Sequence, residues 1–179
     1  MYKKILIGLA VVIAVFVGVV AIQPADFSIS RTATMAAPAS VVFAQVNDFQ
    51  KWGAWSPWEK MDPTMQRTFG STTVGVGAVY SWVGNKQVGE GRMTMTESRP
   101  DEYILIKLEF IKPFVATNPT EFTFASEGNQ TKVTWTMTGK NNFMAKAACL
   151  FMDMDKMVGG DFEKGLAAMK AVSEAAVPK

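Results

Sequence analysis

The hydrophobic pattern of this chain changes period once, and that change sets the fold class. From Asp26 to Thr138, apolar and polar side chains alternate in short segments separated by Gly, Pro and Asn. Such alternation is typical of antiparallel strands with one buried and one solvated face. From about Asn142, apolar residues recur every three or four positions, which predicts a long amphipathic helix. The order therefore predicts an α+β fold in which a curved antiparallel sheet wraps around a C-terminal helix.

Turn residues and periodicity place the individual elements. A first strand is expected over 26–35, followed by a helix from Ala37-Pro38 to about Asn47 and a Trp-rich loop over 49–58. The C-terminal helix is expected to kink at Gly159-Gly160. Six more strands are predicted over 64–69, 77–83, 89–97, 103–111, 120–125 and 132–138.

The N-terminus carries an uncharged apolar run from Ile5 to Ile22, preceded by Lys3 and Lys4. As a helix at about 1.5 Å per residue, it spans roughly 27 Å, close to the thickness of a bilayer core. We therefore expect a transmembrane anchor over 1–25 and one domain over 26–179. Lysines before the run favour a cytoplasmic N-terminus. This orientation predicts a single-pass inner-membrane protein with its domain on the periplasmic side.

The alternative for the same segment is a cleaved secretory signal peptide. Val19 and Ala21 are the small residues that could precede a cut. The apolar run is longer than a typical signal core and lacks a clear A-x-A site, which favours the anchor. Either alternative exports the domain.

The residue types that are missing exclude several classes of function. None of the 179 residues is histidine, so Ser-His and Cys-His nucleophile pairs and the common zinc ligand sets are excluded. Cys149 is the one cysteine, which rules out an intrachain disulfide; a buried, inert thiol is expected. The net charge of +2, without a basic cluster in the domain, disfavours nucleic-acid binding.

No cofactor or metal is expected either. Asp153, Asp155 and Asp161 are the acidic residues closest to a cation-site pattern. Their helical spacings do not converge on one point and no loop geometry accompanies them, so a solvated helix face is predicted instead.

Several short motifs, in this order, resemble the START/polyketide cyclase-dehydrase superfamily, also called SRPBCC. They are Ile29-Ser-Arg31, Ala37-Pro38, Val42-Phe43, Gly75 to Trp82, Gly84-Asn85, Val88 to Met93, Glu97, Pro100 and Gly165-Leu166. The resemblance implies a helix-grip fold with a deep hydrophobic tunnel. Members bind lipids, sterols, polyketides or plant metabolites, and only some catalyse cyclisation or dehydration. The superfamily has no shared catalytic motif to carry over to this chain.

Strand parity and helix periodicity predict which side chains face one another across the interior. The functional interpretation is a pocket for an apolar small molecule or lipid, to which the twelve Met residues would lend an adaptable wall. The alternative is a filled core. The predicted ligand-binding residues are Tyr80, Trp82, Met93, Met95, Ile106, Leu108, Phe110, Phe122, Phe124, Trp135, Met137, Phe143, Leu150 and Met154, with Ile104 and Phe162 facing the same interior.

Three tryptophans, Trp52, Trp55 and Trp58, crowd into one loop. Indole rings suit the rim of a pocket or a membrane interface, but a hydrophobic plug at one end of the sheet explains them equally simply. Glu90 and Arg92 share one face of a strand, opposite Met93 and Met95, so surface ion pairing is expected rather than acid–base work.

The sequence thus predicts a membrane-anchored domain that binds an apolar ligand, without catalytic residues. Two alternatives remain open. One is a cyclase- or dehydratase-type enzyme that uses Tyr80, Glu90 or Arg92. The other is a cavity-free protein-interaction module with a large exposed apolar patch.

Overall fold

The structure, a computed structural model, describes residues 2–177, whose seven strands form one antiparallel sheet. The predicted α+β helix-grip arrangement is confirmed. Strand order across the sheet is β1-β7-β6-β5-β4-β3-β2. The elements are α1 (Tyr2–Ile22), β1 (Asp26–Met35), α2 (Ala39–Asn47), a 3-10 helix (Phe49–Ala54), α3 (Pro57–Met61), β2 (Gln66–Phe69), β3 (Val79–Val83), β4 (Glu90–Arg99), β5 (Tyr103–Lys112), β6 (Ala116–Glu127), β7 (Gln130–Lys140), α4 (Phe143–Cys149) and α5 (Met154–Ala175).

The register of the sheet gives it two distinct ends. Asp26, four residues after the end of α1, pairs with Lys140, and Phe110 pairs with Ala116. The start of β1, the end of β7 and the turn between β5 and β6 therefore lie at one end, which we call the proximal end. The turn between β3 and β4 lies there too, because Glu90 pairs with both Val83 and Lys112. The opposite, distal end carries the turns around residues 101 and 128.

The distal half of the interior is solidly packed. There α2 lies on β6 and β7, and the rings of Phe43 and Phe124 meet edge-to-face with centroids 5.4 Å apart. Met95, Ile104 and Ile106 are almost completely buried in the same region. Full burial of such side chains stabilises a fold by about 1.5–3 kcal/mol each. This half of the sheet and α2 form the main core.

The helix α5 runs along the sheet from the proximal towards the distal end. Near its start, Asp155 binds Arg31 of β1, and near its end Oε1 of Glu174 accepts a 2.7 Å hydrogen bond from the backbone N–H of Ala36. Its apolar stripe includes Phe162, Leu166 and Met169, which are buried against the sheet.

The expectation of one C-terminal helix kinked at Gly159-Gly160 is wrong in two respects. The helix is interrupted over 150–153, which separates α4 from α5. Each of the two helices has its own N-cap: Asn142 for α4 and Asp153 for α5, and each side chain accepts a 2.9 Å hydrogen bond from the backbone N–H three residues further on. Both glycines lie inside the continuous α5. At Gly159 an added Cβ would overlap the guanidinium of Arg31, which is paired with Asp155 and Glu163.

The short helix α4 packs against α1 and not against the sheet. The rings of Phe16 and Phe151 stack with centroids 6.5 Å apart, and Nζ of Lys146 donates to the carbonyl of Ala21 at 3.3 Å. As a result α4 buries none of its residues. Cys149 is exposed, so the expectation of a buried thiol is wrong.

The helix α1 is long and apolar enough to cross a membrane, judged by length and composition. Its apolar side chains are almost all exposed, and Val20 is the buried one. Signal sequences can have the same length and apolar composition, so the segment fits both the anchor and the signal peptide.

Candidate functional site

A partly open apolar cavity lies between the proximal half of the sheet and α5. It encloses about 210 Å³ and is walled by side chains from β3 to β7, from α3 and from the first half of α5. Its walls are largely apolar, and the polar groups among them are few. The lining residues are Trp52, Ser56, Trp58, Glu59, Met65, Tyr80, Trp82, Val88, Met93, Leu108, Phe110, Thr120, Trp135, Met137, Val158, Asp161 and Phe162.

The cavity exists because the helices cover the two halves of the sheet unequally. Phe43 and its neighbours on α2 fill the distal half, but α2 does not reach the proximal half. There, the start of α5, the short α3 and Trp52 cover the strands, and Val158, Asp161 and Phe162 are the lining residues of α5. Gly91 accommodates the Trp82 ring of the wall, since the indole occupies the space that a Cβ at this position would need.

The mouth of the cavity is marked by the lining residues that remain partly exposed. Val158 and Asp161 lie on the α5 side, and Val88, Leu108 and Phe110 lie on the sheet side, near the proximal turns. The half-buried Trp58 completes the rim. The opening therefore faces the proximal end.

The predicted ligand-binding residues fall into three groups in the structure. Seven line the cavity: Tyr80, Trp82, Met93, Leu108, Phe110, Trp135 and Met137. Four are buried in the core and do not line this cavity: Met95, Ile106, Phe122 and Phe124. Ligand contact by the first seven stays a prediction.

The third group corrects the expectation that Phe143, Leu150 and Met154 face the sheet. Phe143 and Met154 are exposed, Leu150 is half-buried, and none of the three lines the cavity. The reason is the interruption of the helix, which turns α4 towards α1. Phe162, on α5, does face the sheet and lines the cavity.

The Trp-rich segment serves both roles considered for it. The indole N–H groups of Trp52 and Trp55 each donate a 3.0 Å hydrogen bond to a backbone carbonyl of α2, which fixes both rings as a buried plug. Trp58 instead lies at the rim and meets Trp135 edge-to-face at 5.8 Å. Trp135 in turn stacks on Phe162 with centroids 4.0 Å apart.

The polar part of the cavity wall centres on Glu59, which the sequence did not single out. The Tyr80 hydroxyl donates a 2.7 Å hydrogen bond to Oε1 of Glu59. Arg67 Nε lies 2.8 Å from Oε2 of Glu59, but its N–H does not point at that oxygen, so the contact is an ion pair and not a hydrogen bond. Burial, followed by the bond to Glu59, raises the pKa of Tyr80 well above its ordinary value.

Three lining residues carry a buried polar atom that has no hydrogen-bond partner among the described residues. They are Glu59 through Oε2, Thr120 through its hydroxyl and Trp135 through its indole N–H. Thr120 and Trp135 are only 3% and 2% exposed. Buried polar groups are usually paired, so these three side chains are the polar groups of the wall to consider for contact with a ligand.

Glu90 and Arg92 do not take part in this site. Glu90 binds Lys112 at 2.7 Å and Arg92 binds Glu109 at 3.0 Å, both across neighbouring strands, and neither lines the cavity. The Arg92 and Lys107 side chains lower the pKa of Glu109 from its ordinary value, with the Lys107 hydrogen bond as the larger cause. Both side chains form ion pairs rather than a polar site, but with partners on the neighbouring strand and not, as expected, with each other.

The acidic residues of the C-terminal region are likewise engaged separately. Asp153 caps α5, Asp155 binds Arg31 at 2.9 Å and Asp161 binds Lys164 at 2.8 Å. Within residues 2–177, no group of three or more Cys, Asp or Glu side chains is placed to hold a metal ion.

Comparisons with known proteins agree with this architecture. The family described as "Polyketide cyclase / dehydrase and lipid transport" matches residues 26–174. No curated protein matches the chain significantly. Protein CV1439 from Chromobacterium violaceum has a similar fold, with a TM-score of 0.61 and 14% identity over 85% of this chain and 98% of that one.

Two further solved structures show how widely the fold is shared. The Aha1 dimer from Colwellia psychrerythraea has a TM-score of 0.61 and 14% identity over 85% of this chain and 99% of that one. Ara h 8.0201 has a TM-score of 0.53 and 10% identity over 84% and 96% of the two chains. At these identities, the likeness shows the fold alone.

Proposed function

The chain belongs to the polyketide cyclase/dehydrase and lipid transport family, and from that membership we propose that it holds an apolar small molecule or lipid in its cavity. The observation that carries the proposal is the apolar cavity of about 210 Å³ beside a solid core. Pockets that are mostly apolar with a few placed polar groups are the usual form of small-molecule sites. We propose further that the domain is exported and stays attached to the inner membrane through α1.

The polar atoms of the wall narrow the class of ligand. Oε2 of Glu59 is an acceptor that forms an ion pair with Arg67 but no hydrogen bond, whereas the Trp135 N–H is a donor without an acceptor. The hydroxyl of Thr120 can serve either. A hydroxyl group on the ligand offers both functions, whereas a carboxylate offers no donor and meets the Glu59 carboxylate. The wall therefore favours an uncharged apolar molecule that carries a hydroxyl group.

The ligand proposal is tested by extraction and by filling the cavity. Full-length protein purified in detergent is expected to retain a stoichiometric apolar compound, identified by mass spectrometry. Leu108→Trp should abolish retention, because the larger side chain occupies the cavity. Lys107→Trp adds the same ring to the exposed face of the same strand and should leave retention unchanged. Equal retention in both variants would refute the cavity as the binding site.

The anchor is supported by the uncharged run from Ile5 to Ile22, by its exposed side chains and by Lys3 and Lys4 before it. An uncleaved anchor keeps the intact chain in the membrane pellet after alkaline carbonate treatment, and protease added to spheroplasts should digest the domain. A soluble mature protein that begins after Ala21 would show instead that the segment is a cleaved signal.

A second candidate function is a cyclase- or dehydratase-type activity, favoured by Tyr80 and Glu59 meeting inside the cavity. Glu90 and Arg92, also considered for this role, lie outside it. The test is whether a bound ligand loses water over time in the wild type but not in Glu59→Gln. The cavity-free interaction module is contradicted by the cavity itself.

A further inference from the structure

The proximal end of the domain exposes a cluster of large apolar side chains. The turn between β5 and β6 carries Phe114 and Val115, which are 80% and 83% exposed, and Phe151 after α4 is 79% exposed. We call this cluster the proximal apolar face. Its members are Ile111, Phe114, Val115, Phe143, Met144, Phe151 and Met152, all exposed. Large exposed apolar side chains gathered at one end of a domain are typical of a site that contacts a partner or a membrane.

The position of α1 identifies what covers this face. Phe151 stacks on Phe16, which lies six residues before the end of α1 at Ile22. At 1.5 Å per residue, Phe16 is roughly 9 Å below the end of the helix. If α1 spans a bilayer, Phe151 and the adjoining Met152 sit at the depth of the acyl chains of the leaflet from which α1 emerges. An apolar ring is stable there and a polar one is not.

The two ends of the sheet differ in a way that fits this placement. The distal turns consist of Pro100-Asp101-Glu102 and Gly128-Asn129. The distal exposed apolar side chains are Val74 and Val76, from the loop before β3, and Phe69, which is 37% exposed at the end of β2. The more exposed aromatic rings of the domain, Phe114 and Phe151 at 80% and 79%, are proximal.

The cavity opens towards the same end. Phe110 at its mouth is one residue from Ile111 of the proximal apolar face, and Val158 at its mouth follows Met154 and Met157, which are exposed on the first turn of α5. A route from the acyl region of the leaflet to the cavity would therefore run along apolar side chains without crossing water.

We propose that the proximal apolar face is inserted in the leaflet from which α1 emerges, so that the cavity takes its ligand directly from the bilayer. This inference rests on the proposed function, since it assumes both the anchor and the apolar ligand. It assigns a second membrane contact, made by the domain itself, and it places the exchange of ligand at the membrane surface rather than in the aqueous phase.

The native Cys149, exposed on α4, gives a direct test in the unaltered chain. Full-length protein is labelled there with a nitrobenzoxadiazole dye and reconstituted into phosphatidylcholine–phosphatidylglycerol vesicles. In a Cys149→Ala background, Phe114→Cys reports on the proximal turn and Glu127→Cys on the distal one. Lipids with a nitroxide on the acyl chain, compared with unlabelled lipids, should quench a large fraction of the fluorescence at 149 and 114 and little of it at 127. Equal fractional quenching at 114 and 127, in vesicles where α1 resists carbonate, overturns the insertion.

Uptake of ligand provides a second readout. Phe114→Asp with Val115→Asp should slow uptake from vesicles several-fold, while binding from detergent solution stays unchanged. The matched control, Val74→Asp with Val76→Asp, places the same charges at the distal end and should not alter uptake. Unchanged uptake in the proximal variant overturns the proposed route. If the wild type binds no ligand from detergent solution, the ligand proposal is refuted instead. If carbonate releases the full-length protein from the vesicles, the anchor is refuted.

Discussion

The hydroxyl of Tyr80 on β3 donates a 2.7 Å hydrogen bond to Oε1 of Glu59 on α3, across the polar part of the cavity wall. The pair joins a five-residue helix to the sheet, so the wall depends on it. Tyr80→Phe removes the donor and leaves a buried carboxylate oxygen unpaired. We predict a loss of about 1–3 kcal/mol in the free energy of unfolding, measured by denaturant titration in detergent.

The matched control for this substitution is Tyr103→Phe. Its hydroxyl also donates to a carboxylate, Oε2 of Glu121 at 2.9 Å, but both residues are only half-buried. Water can replace the lost donor there, so the loss should stay below about 1 kcal/mol. Equal losses in the two variants would show that the Glu59 carboxylate is not buried as described.

Alkaline pH should destabilise the domain through the same two tyrosines. Burial and the hydrogen bond to Glu121 raise the pKa of Tyr103 to about 12, and the pKa of Tyr80 is raised further. An unfolded tyrosine ionises near pH 10. The folded state therefore keeps protons that the unfolded state loses, so the contribution is intact below about pH 10 and disappears as pH rises through the folded values. Thermal midpoints measured from pH 8 to 12 should fall less steeply in Tyr80→Phe than in the wild type.

The glycines of α5 should respond oppositely to alanine. A Cβ at Gly165 would lie 2.9 Å from the Trp135 ring and 3.1 Å from Pro57, neither of which can move freely, whereas Gly160 has open space around it. We predict that Gly165→Ala destabilises by about 1–3 kcal/mol. Gly160→Ala should stabilise by about 0.5–1 kcal/mol, because glycine inside a helix is unfavourable. Thermal unfolding compares the two, and destabilisation by Gly160→Ala would contradict the straight helix.

These glycines also show where sequence patterns stop being informative. A Gly-Gly pair in a long apolar period predicts a kink. In the structure Gly159 instead leaves space for the guanidinium of Arg31, a residue far away in the sequence. The actual interruption was signalled by Asn142 and Asp153, two capping residues. Hydrophobic period alone could not show that α4 packs on α1, since either the sheet or α1 offers apolar surface.

Strand parity was informative for the cavity within limits. It assigned the correct face to Tyr80 and Met137, because side chains alternate strictly along a strand. It could not separate them from Met95 and Phe122, which face the same side but are buried in the packed core, where the rings of Trp52 and Trp55 lie against Phe122. The sequence did not identify Glu59 as a cavity residue, because a glutamate in a short polar segment is usually exposed. Its burial depends on its contacts with Arg67 of β2 and Tyr80 of β3.

Acid should weaken the attachment of α5 to β1. The hydrogen bond from Arg31 lowers the pKa of Asp155 from its ordinary value. The folded state therefore releases this proton more readily than the unfolded state. The stabilisation is present above about pH 4, the unfolded value, and is lost as pH falls through the folded one. Asp155→Asn should reduce the acid sensitivity of the thermal midpoint. Asp101→Asn, in an exposed turn with a φ of 63° that Asn accepts, is the control and should leave it unchanged.

The chemistry of the cavity wall predicts discrimination between ligands of equal length. A neutral alcohol such as 1-decanol can donate to Oε2 of Glu59 and accept from Trp135, whereas decanoate can do only the latter and brings a second negative charge beside the carboxylate. Competition against a fluorescent fatty alcohol should therefore rank the alcohol well above the acid at neutral pH.

Two substitutions separate the sources of that preference. Glu59→Gln removes the charge and offers an amide donor, so decanoate should gain affinity relative to decanol. Thr120→Val keeps the shape of the side chain but removes the unpaired hydroxyl. If ligand bonds to that hydroxyl, the valine variant should lose up to about tenfold in affinity for the alcohol, corresponding to about 1.4 kcal/mol. An unchanged ranking in Glu59→Gln would mean that the carboxylate does not face the ligand, because a charge in contact with the bound head group cannot be removed without altering the order.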